Sequence, residues 1–489
     1  MKSDIQRQIK LTDDLIKEKR YSDINLITLS QNCLSTEQNP AIFHKILEYG
    51  HLKNINSQIS KNELTDIWFE LLLKMISKSN FHTGYMLQQR ANRYKEKIAF
   101  NVIKKGNIKT LSYDALWTLV REVGRSISTF EIKFQKPVIG ILTHNQLNSV
   151  LVDLACLSFG YRIIPLPLNA TPEHIDYIIM HAEITHLFVG GEMGIKLWNE
   201  TQSKNSTTFI SLDNEKINPD SMTWEKFLEE GDSKKDFNIK DRLNSVNIEN
   251  IQTIMYTSGT TDNPKGIPFT NVNIISKRFS RALALPSIGS KDIFLCYLPL
   301  FHTFGRYFEL MGSIFWGATY SFAESPAFNS LLNDFKIVKP TIFISIPKRW
   351  VQLYEMIDNK LNLESDKTSY IKNQLNDITG GSLKWGLSAA GYLDPDIFSF
   401  FHDMGINLLS GYGMTEATGG ITMTPPDNYE RDSVGKALPG IDIKLARDGE
   451  LCIKGAYVTT QYFKNKSSTV FRDGWFHTED IFKKKNGHY

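Results

Sequence analysis

A chain of 489 residues with 41% hydrophobic and 22% charged side chains has the composition of a folded protein with sizeable cores, in roughly two to four domains or subdomains. Its 56 Lys and Arg against 53 Asp and Glu leave a formal charge of +3, which gives no electrostatic case for nucleic acid or an acidic membrane surface as a partner. The four cysteines, Cys33, Cys156, Cys296 and Cys452, lack metal-ligand or redox spacing, the charged N-terminus is not a secretory signal, and no apolar run reaches the ~18 residues of a membrane span, so reduced thiols in a cytoplasmic protein are expected.

Residues 1–80 are rich in Lys, Asn, Ser and Asp and read as an N-terminal helical extension. Leu64, Ile67, Trp68, Leu71, Leu72 and Ile76 recur at three- and four-residue steps, as on an amphipathic helix. That stripe is expected to pack on the main body; a partner- or membrane-binding face is the alternative.

From residue 81 the pattern becomes α/β. Residues 113–130 and 148–160 read as helices, and Pro172 opens another. Residues 137–142, 162–166 and 186–189 read as short buried strands, the first ending at polar Thr143, His144 and Asn145. Strands alternating with helices predict a largely parallel sheet covered on both faces, with ligands beyond the carboxyl ends of the strands. Residues 228–250 and 362–377 are charged and read as exposed loops or solvated helices. Residues 310–322 are apolar but short and interrupted by Gly312 and Gly317, so a buried helix or strand is expected there.

The most informative segment is Ile254-Met-Tyr-Thr-Ser-Gly-Thr-Thr-Asp-Asn-Pro-Lys-Gly266. An apolar strand, residues 251–256, runs into a loop dense in hydroxyls and glycine. Gly259 and Gly266 let the backbone approach a ligand, and successive N–H groups in such a loop form an anion-binding nest. Thr257, Ser258, Thr260 and Thr261 add hydroxyl donors, and Lys265 adds a mobile positive charge for a phosphate. The nucleoside-triphosphatase P-loop is excluded, since Lys265 precedes Gly266 and not a Ser or Thr. Residue by residue this could be a polar turn. As a continuous string, Tyr-Thr-Ser-Gly-Thr-Thr-x-x-Pro-Lys-Gly resembles the signature of the adenylate-forming (AMP-binding) superfamily, and the chain most resembles its fatty acyl-CoA synthetases.

Other segments continue the resemblance through about residues 82–489. Leu298-Pro-Leu-Phe-His-Thr-Phe-Gly305 is similar to the segment bordering the acid pocket, which implies that His302 lies near the bound carboxylate. Residues 339–349 are similar to a region of long-chain acyl-CoA synthetases. Leu387-Ser-Ala-Ala-Gly391 resembles the adenine-contacting turn, which implies nucleotide contacts at Ala390 and Gly391 although that turn is commonly richer in Gly. Gly411-Tyr-Gly-Met-Thr-Glu-Ala417 is the second strong motif; it implies Gly411, Tyr412 and Gly413 beside adenine, Thr415 at the phosphates, and Glu416 with Thr257 for Mg²⁺, a cation that prefers hard oxygen ligands. Residues 428–489 read as a small β-rich subdomain, and within it Gly474-Trp-Phe-His-Thr-Glu-Asp480 resembles the ribose-binding segment, with Asp480 as acceptor for the ribose hydroxyls.

The resemblance implies the large N-terminal domain of the adenylate-forming fold at 81–489, with parallel-rich sheets covered by helices. It also implies activation of a carboxylic acid by ATP and Mg²⁺ to an acyl-adenylate, followed by transfer to CoA or an acyl-carrier protein. Thr257, Lys265, His302 and Glu416 would be the catalytic residues. An amino acid substrate is disfavoured because Phe301 is followed by His302 and not by an Asp, and the apolar surroundings point to a fatty acid. Three departures stand out. Glu479 replaces a common Gly beside the ribose segment, Asn271 replaces a common His, and the family's C-terminal lid domain and its lysine are not found in the sequence. They keep open a nucleotide- or acyl-binding protein without turnover, or half of a split synthetase whose C-terminal domain is a separate partner. Peripheral contact with a membrane or a carrier protein also stays open.

Overall fold

Residues 1–80 fold into the helices Lys2–Lys17, Leu26–Leu34, Pro40–Tyr49, Lys53–Lys61 and Thr65–Ser79 in a computed structural model that describes residues 2–36, 38–203, 207–213, 221–257, 263–358, 367–426, 428–465 and 469–489. Asn25 and Asn39 cap two of these helices by accepting from the Thr28 and Ala41 N–H groups, and Pro40 stands in a first turn where no amide is missed. The apolar stripe of Thr65–Ser79 is buried at Trp68, Leu71, Leu72 and Ile76, and the helix packs on Asn271–Ala284.

The six-stranded sheet has the edge-to-edge order Thr208–Ser211, His186–Val189, Val138–Leu142, Arg162–Pro165, Ile251–Thr257 and Lys265–Thr270. All its neighbours are parallel except the last pair, a hairpin. Its central strands are apolar on both faces because helices cover both, Leu147–Phe159 and Pro172–Ala182 among them.

The nine-stranded sheet runs Lys436–Ala437, Gly419–Met423, Asn407–Met414, Trp385–Ala389, Ile342–Ser345, Ile293–Cys296, Thr319–Phe322, Ile98–Lys104 and Asn107–Ser112. Its interior pairs are parallel, and antiparallel strands close both edges. A four-stranded antiparallel sheet, in the order Ile441–Leu445, Glu450–Gly455, Trp475–Ile481 and Phe471–Arg472, forms the small β-rich part.

Residues 310–322 hold both a helix and a strand: the end of the π-helix Phe304–Leu310, then Met311–Trp316 and Thr319–Phe322, all buried. Residues 228–250 hold the end of the helix Trp224–Asp232 and all of Ile239–Ser245; Leu243 anchors the second, and Arg242 donates to both Glu131 oxygens at 2.6 Å. Among the described residues, no helix is long and apolar enough to cross a membrane.

Candidate active site

The strand Ile251–Thr257 and its return Lys265–Thr270 pair with Thr257 opposite Lys265 and Tyr256 opposite Gly266. A Cβ at Gly266 would stand 3.2 Å from the Tyr256 ring, so a small residue keeps the hairpin tight. Ser258, Gly259, Thr260 and Thr261 lie outside the described residues. The Lys265 side chain is exposed, with Nζ 5.3 Å from the centroid of the Tyr462 ring. Tyr462 in turn donates its hydroxyl to Glu416 Oε1 at 2.9 Å. Lys265 and Glu416, 151 residues apart in sequence by their numbers, therefore meet at one tyrosine. Burial raises the Glu416 carboxyl above its ordinary range, while the Tyr462 hydroxyl and the Lys265 charge oppose that shift. A divalent cation would relieve the same electrostatic cost. A carboxylate such as Glu416 and a hydroxyl such as that of Thr257 are hard oxygen donors of the kind Mg²⁺ prefers.

A second pairing joins Tyr412 to Asp480, whose Oδ2 accepts from the Tyr412 hydroxyl at 2.5 Å. The Tyr412 ring also meets Phe482 edge-on at 4.8 Å. Burial, and then the hydrogen bond to Asp480, push the Tyr412 hydroxyl well above its ordinary value. Glu479, next to Asp480, has φ +64°, and its N–H donates to Glu450 Oε1 at 3.0 Å. Ala390 is also left-handed, at φ +66°.

Between these clusters and the nine-stranded sheet opens a cavity of about 820 Å³. Ala390, Gly411, Tyr412, Gly413 and Thr415 line it on one side, and Phe301, His302, Phe304 and Phe308 on another. Gly391, Lys265, Glu416 and Asp480 are not among its lining residues, although Glu416 follows Thr415 and Asp480 holds Tyr412.

His302 presents its ring to the open space of the cavity, yet the surrounding walls desolvate it and lower its pKa. Its loop is clamped by Asn145, which donates to the Leu298 carbonyl at 2.7 Å and accepts from the Leu300 N–H at 3.1 Å. In the sequence Asn145 is only the polar end of a strand; no local spacing announces a partner 153 residues away. Tyr462 was missed for the same reason. So were Arg278 and Arg281, which line the cavity from the helix Asn271–Ala284. The available signal was three cations, Lys277, Arg278 and Arg281, on one buried helix.

Among the described residues, Glu450, Cys452 and His477 hold ligand atoms within 4.8 Å of one another. The Arg472 guanidinium already stands 3.0 Å from His477 Nδ1 and 3.8 Å from Glu450, which disfavours a metal there.

The family model described as AMP-binding enzyme matches residues 87–463. Long chain acyl-CoA synthetase 3 of Arabidopsis thaliana is 28% identical over 442 residues, covering 77% of this chain and 65% of its own. Fatty acyl-CoA synthetase A of Dictyostelium discoideum is 27% identical over 434 residues, covering 77% and 63%. The chain thus spans under two thirds of the length of these curated relatives. Among solved structures, o-succinylbenzoate CoA synthetase from Bacillus subtilis with its acyl-adenylate intermediate has a TM-score of 0.63 at 21% identity, covering 82% of this chain and 76% of that one. The anthranilate CoA ligase AuaEII with anthranoyl-AMP has a TM-score of 0.67 at 19% identity, covering 84% and 77%. At these identities the structural likeness establishes the fold, an α/β architecture with a small antiparallel sheet.

Proposed function

This chain belongs to the AMP-binding enzyme family, and we propose that it uses ATP to activate a carboxylic acid with an apolar chain as an acyl-adenylate, whose acyl carbon the thiol of CoA or an acyl-carrier protein then attacks to form a thioester as AMP leaves. The observation that carries the reading is the convergence of Lys265 and Glu416 on Tyr462, and of Asp480 on Tyr412, beside a cavity bordered by His302. The names of the long-chain acyl-CoA synthetases among its relatives support the apolar acid, as do Phe301, Phe304 and Phe308 in the wall.

In this mechanism a carboxylate oxygen attacks the α-phosphorus of ATP, and pyrophosphate leaves with the electron pair of the broken P–O bond. Such transfer depends on positioning and charge stabilisation more than on covalent help from the protein. Lys265 and the Thr257 hydroxyl meet the outer phosphates. Asp480, held by Tyr412, accepts from the ribose hydroxyls. His302, kept neutral near pH 7 by its lowered pKa, offers the acid a ring N–H without the full positive charge that would blunt the carboxylate as a nucleophile. Glu416 and Thr257 would hold Mg²⁺, which supplies charge neutralisation of the phosphates when bound.

Acid-dependent exchange of labelled pyrophosphate into ATP tests the reading, with fatty, aryl and amino acids and with Lys265→Ala as control. Exchange with an apolar acid, reduced about 100-fold in Lys265→Ala, is the expected result. ATP binding without exchange for any acid would overturn it and favour a nucleotide-binding protein without turnover, the reading to which Glu479 beside Asp480 lends support.

A further inference from the structure

The helix Asn271–Ala284 carries Lys277, Arg278 and Arg281 within little more than one turn, and only 0%, 2% and 5% of their surfaces are exposed. Of the two other buried arginines, Arg90 donates Nε to the Phe315 carbonyl at 2.8 Å and has no paired carboxylate among the described residues, whereas Arg306 comes with its anion. Arg306, also 0% exposed, donates from Nε to Asp153 Oδ2 at 2.8 Å, from Nη2 to Asp153 Oδ1, and from Nη1 to Thr253 Oγ1 at 2.8 Å. Among the described residues, no carboxylate pairs with Lys277, Arg278 or Arg281.

Their existing contacts are unequal. Lys277 is the best satisfied: Nζ donates to the Gly420 carbonyl and stands 3.8 Å from the centroid of the Tyr457 ring. Arg281 has soft neighbours only, with its guanidinium 4.3 Å above the Phe308 ring and Nη1 3.4 Å from the Met423 sulfur. Arg278 Nη1 is buried with no hydrogen-bond partner among the described residues. Burial lowers Arg281 to about 10, and burial together with the Arg281 charge lowers Arg278 to about 9. Both remain cations at neutral pH.

Both arginines line the cavity, beside Phe304, Phe308 and Gly420. Gly420 leaves room for one of them: a Cβ there would lie 2.0 Å from Arg281 Nη2. An unpaired charge in apolar surroundings is costly, and proteins normally place an anion against it. Guanidinium groups in a ligand cavity that lack a protein anion take one from the ligand, and their planar fork suits a carboxylate. The ATP phosphates already have Lys265 and Thr257 in the activation reading, on which this inference rests. We propose that Arg278 and Arg281 bind a second carboxylate of the acid, so that the favoured substrates are α,ω-dicarboxylic acids with an apolar chain between their two ends.

The test compares dodecanedioate with dodecanoate in pyrophosphate exchange, first in the unaltered protein and then in Arg281→Met and Arg281→Lys. A kcat/KM for the diacid about 100-fold above that for the monoacid is expected, with the ratio collapsing in Arg281→Met and lying between the two in Arg281→Lys. A monoacid preferred in the unaltered protein would overturn the proposal and leave the activation reading standing; that comparison needs no variant to fold. Exchange with no acid at all would remove the activation reading instead. The carboxylate site would then be judged by calorimetric titration of dodecanedioate. Saturable binding that is lost in Arg281→Met while ATP affinity persists would support it, and absence of binding would overturn it.

Discussion

Glu479 holds φ +64°, a left-handed backbone that costs a residue with a Cβ roughly 1–2 kcal/mol and costs glycine little. The same residue puts a negative charge next to Asp480, the expected ribose acceptor. The hydrogen bond from its N–H to the Glu450 carboxylate uses only the main chain of Glu479 and would survive loss of the Glu479 side chain. Glu479→Gly is therefore expected to raise unfolding stability by about 0.5–1 kcal/mol, since the relieved strain exceeds the extra chain entropy of glycine. It should also tighten ATP binding at low salt, an effect that fades as salt screens the exposed carboxylate. Urea denaturation and ATP titration at two ionic strengths check both parts. Unchanged stability would mean that Glu479 gains a compensating contact. Ala390, at φ +66°, holds the same left-handed backbone with a Cβ.

The loop carrying His302 and the π-helix behind it form one element in mechanical terms. The helix begins where the chain passes closest to its own preceding loop: a Cβ at Gly305 would lie 2.5 Å from the Leu298 carbonyl oxygen and 2.6 Å from that of Pro299. Those are main-chain atoms, the Leu298 carbonyl held by Asn145 and the Pro299 carbonyl by the His302 N–H, so they cannot swing aside as a flexible side chain would. Gly305→Ala is expected to cost about 2 kcal/mol and to displace His302. It should lower kcat/KM for the acid about tenfold or more while leaving ATP affinity nearly intact. Stability and exchange kinetics measured together decide this. An acid KM that stays put would show that His302 does not depend on the loop's position.

Legibility in the sequence follows the same distinction between local and distant. The strand at 186–189 was readable to its bounds, because a short apolar run between turn residues has few alternatives. The strand at 251–256 leading into the loop before Lys265 was readable because its residues are contiguous, while its return as the strand Lys265–Thr270 was not. The π-helix was not, since its one-residue slip leaves no distinct spacing in an apolar stretch. Nor were the Tyr462–Glu416 and Asn145–Leu300 bonds, which join positions brought together only by the sheets.

At the scale of the whole molecule, one buried ion pair ties the two large sheets. Asp153 stands on the helix Leu147–Phe159, which packs on the six-stranded sheet, and Arg306 on the π-helix that leads into the nine-stranded sheet. Thr253, on a strand of the first sheet, accepts the remaining guanidinium arm. Burial alone would lower the Arg306 pKa; the Asp153 carboxylate more than offsets this and holds it above its ordinary value. Removing one charge of such a pair leaves the other uncompensated. Asp153→Asn is expected to cost about 3–5 kcal/mol, and the double variant Asp153→Asn, Arg306→Met less than the sum of the two single changes. Urea denaturation gives both values. Hydrogen exchange adds the spatial information that denaturation lacks. If the pair couples the sheets into one cooperative unit, Asp153→Asn should lose protection in Ile251–Thr257 and in Ile293–Cys296 together. Loss confined to the first strand would mean that the sheets open independently, and that the cavity bordered by His302 can loosen without disturbing the hairpin that carries Lys265.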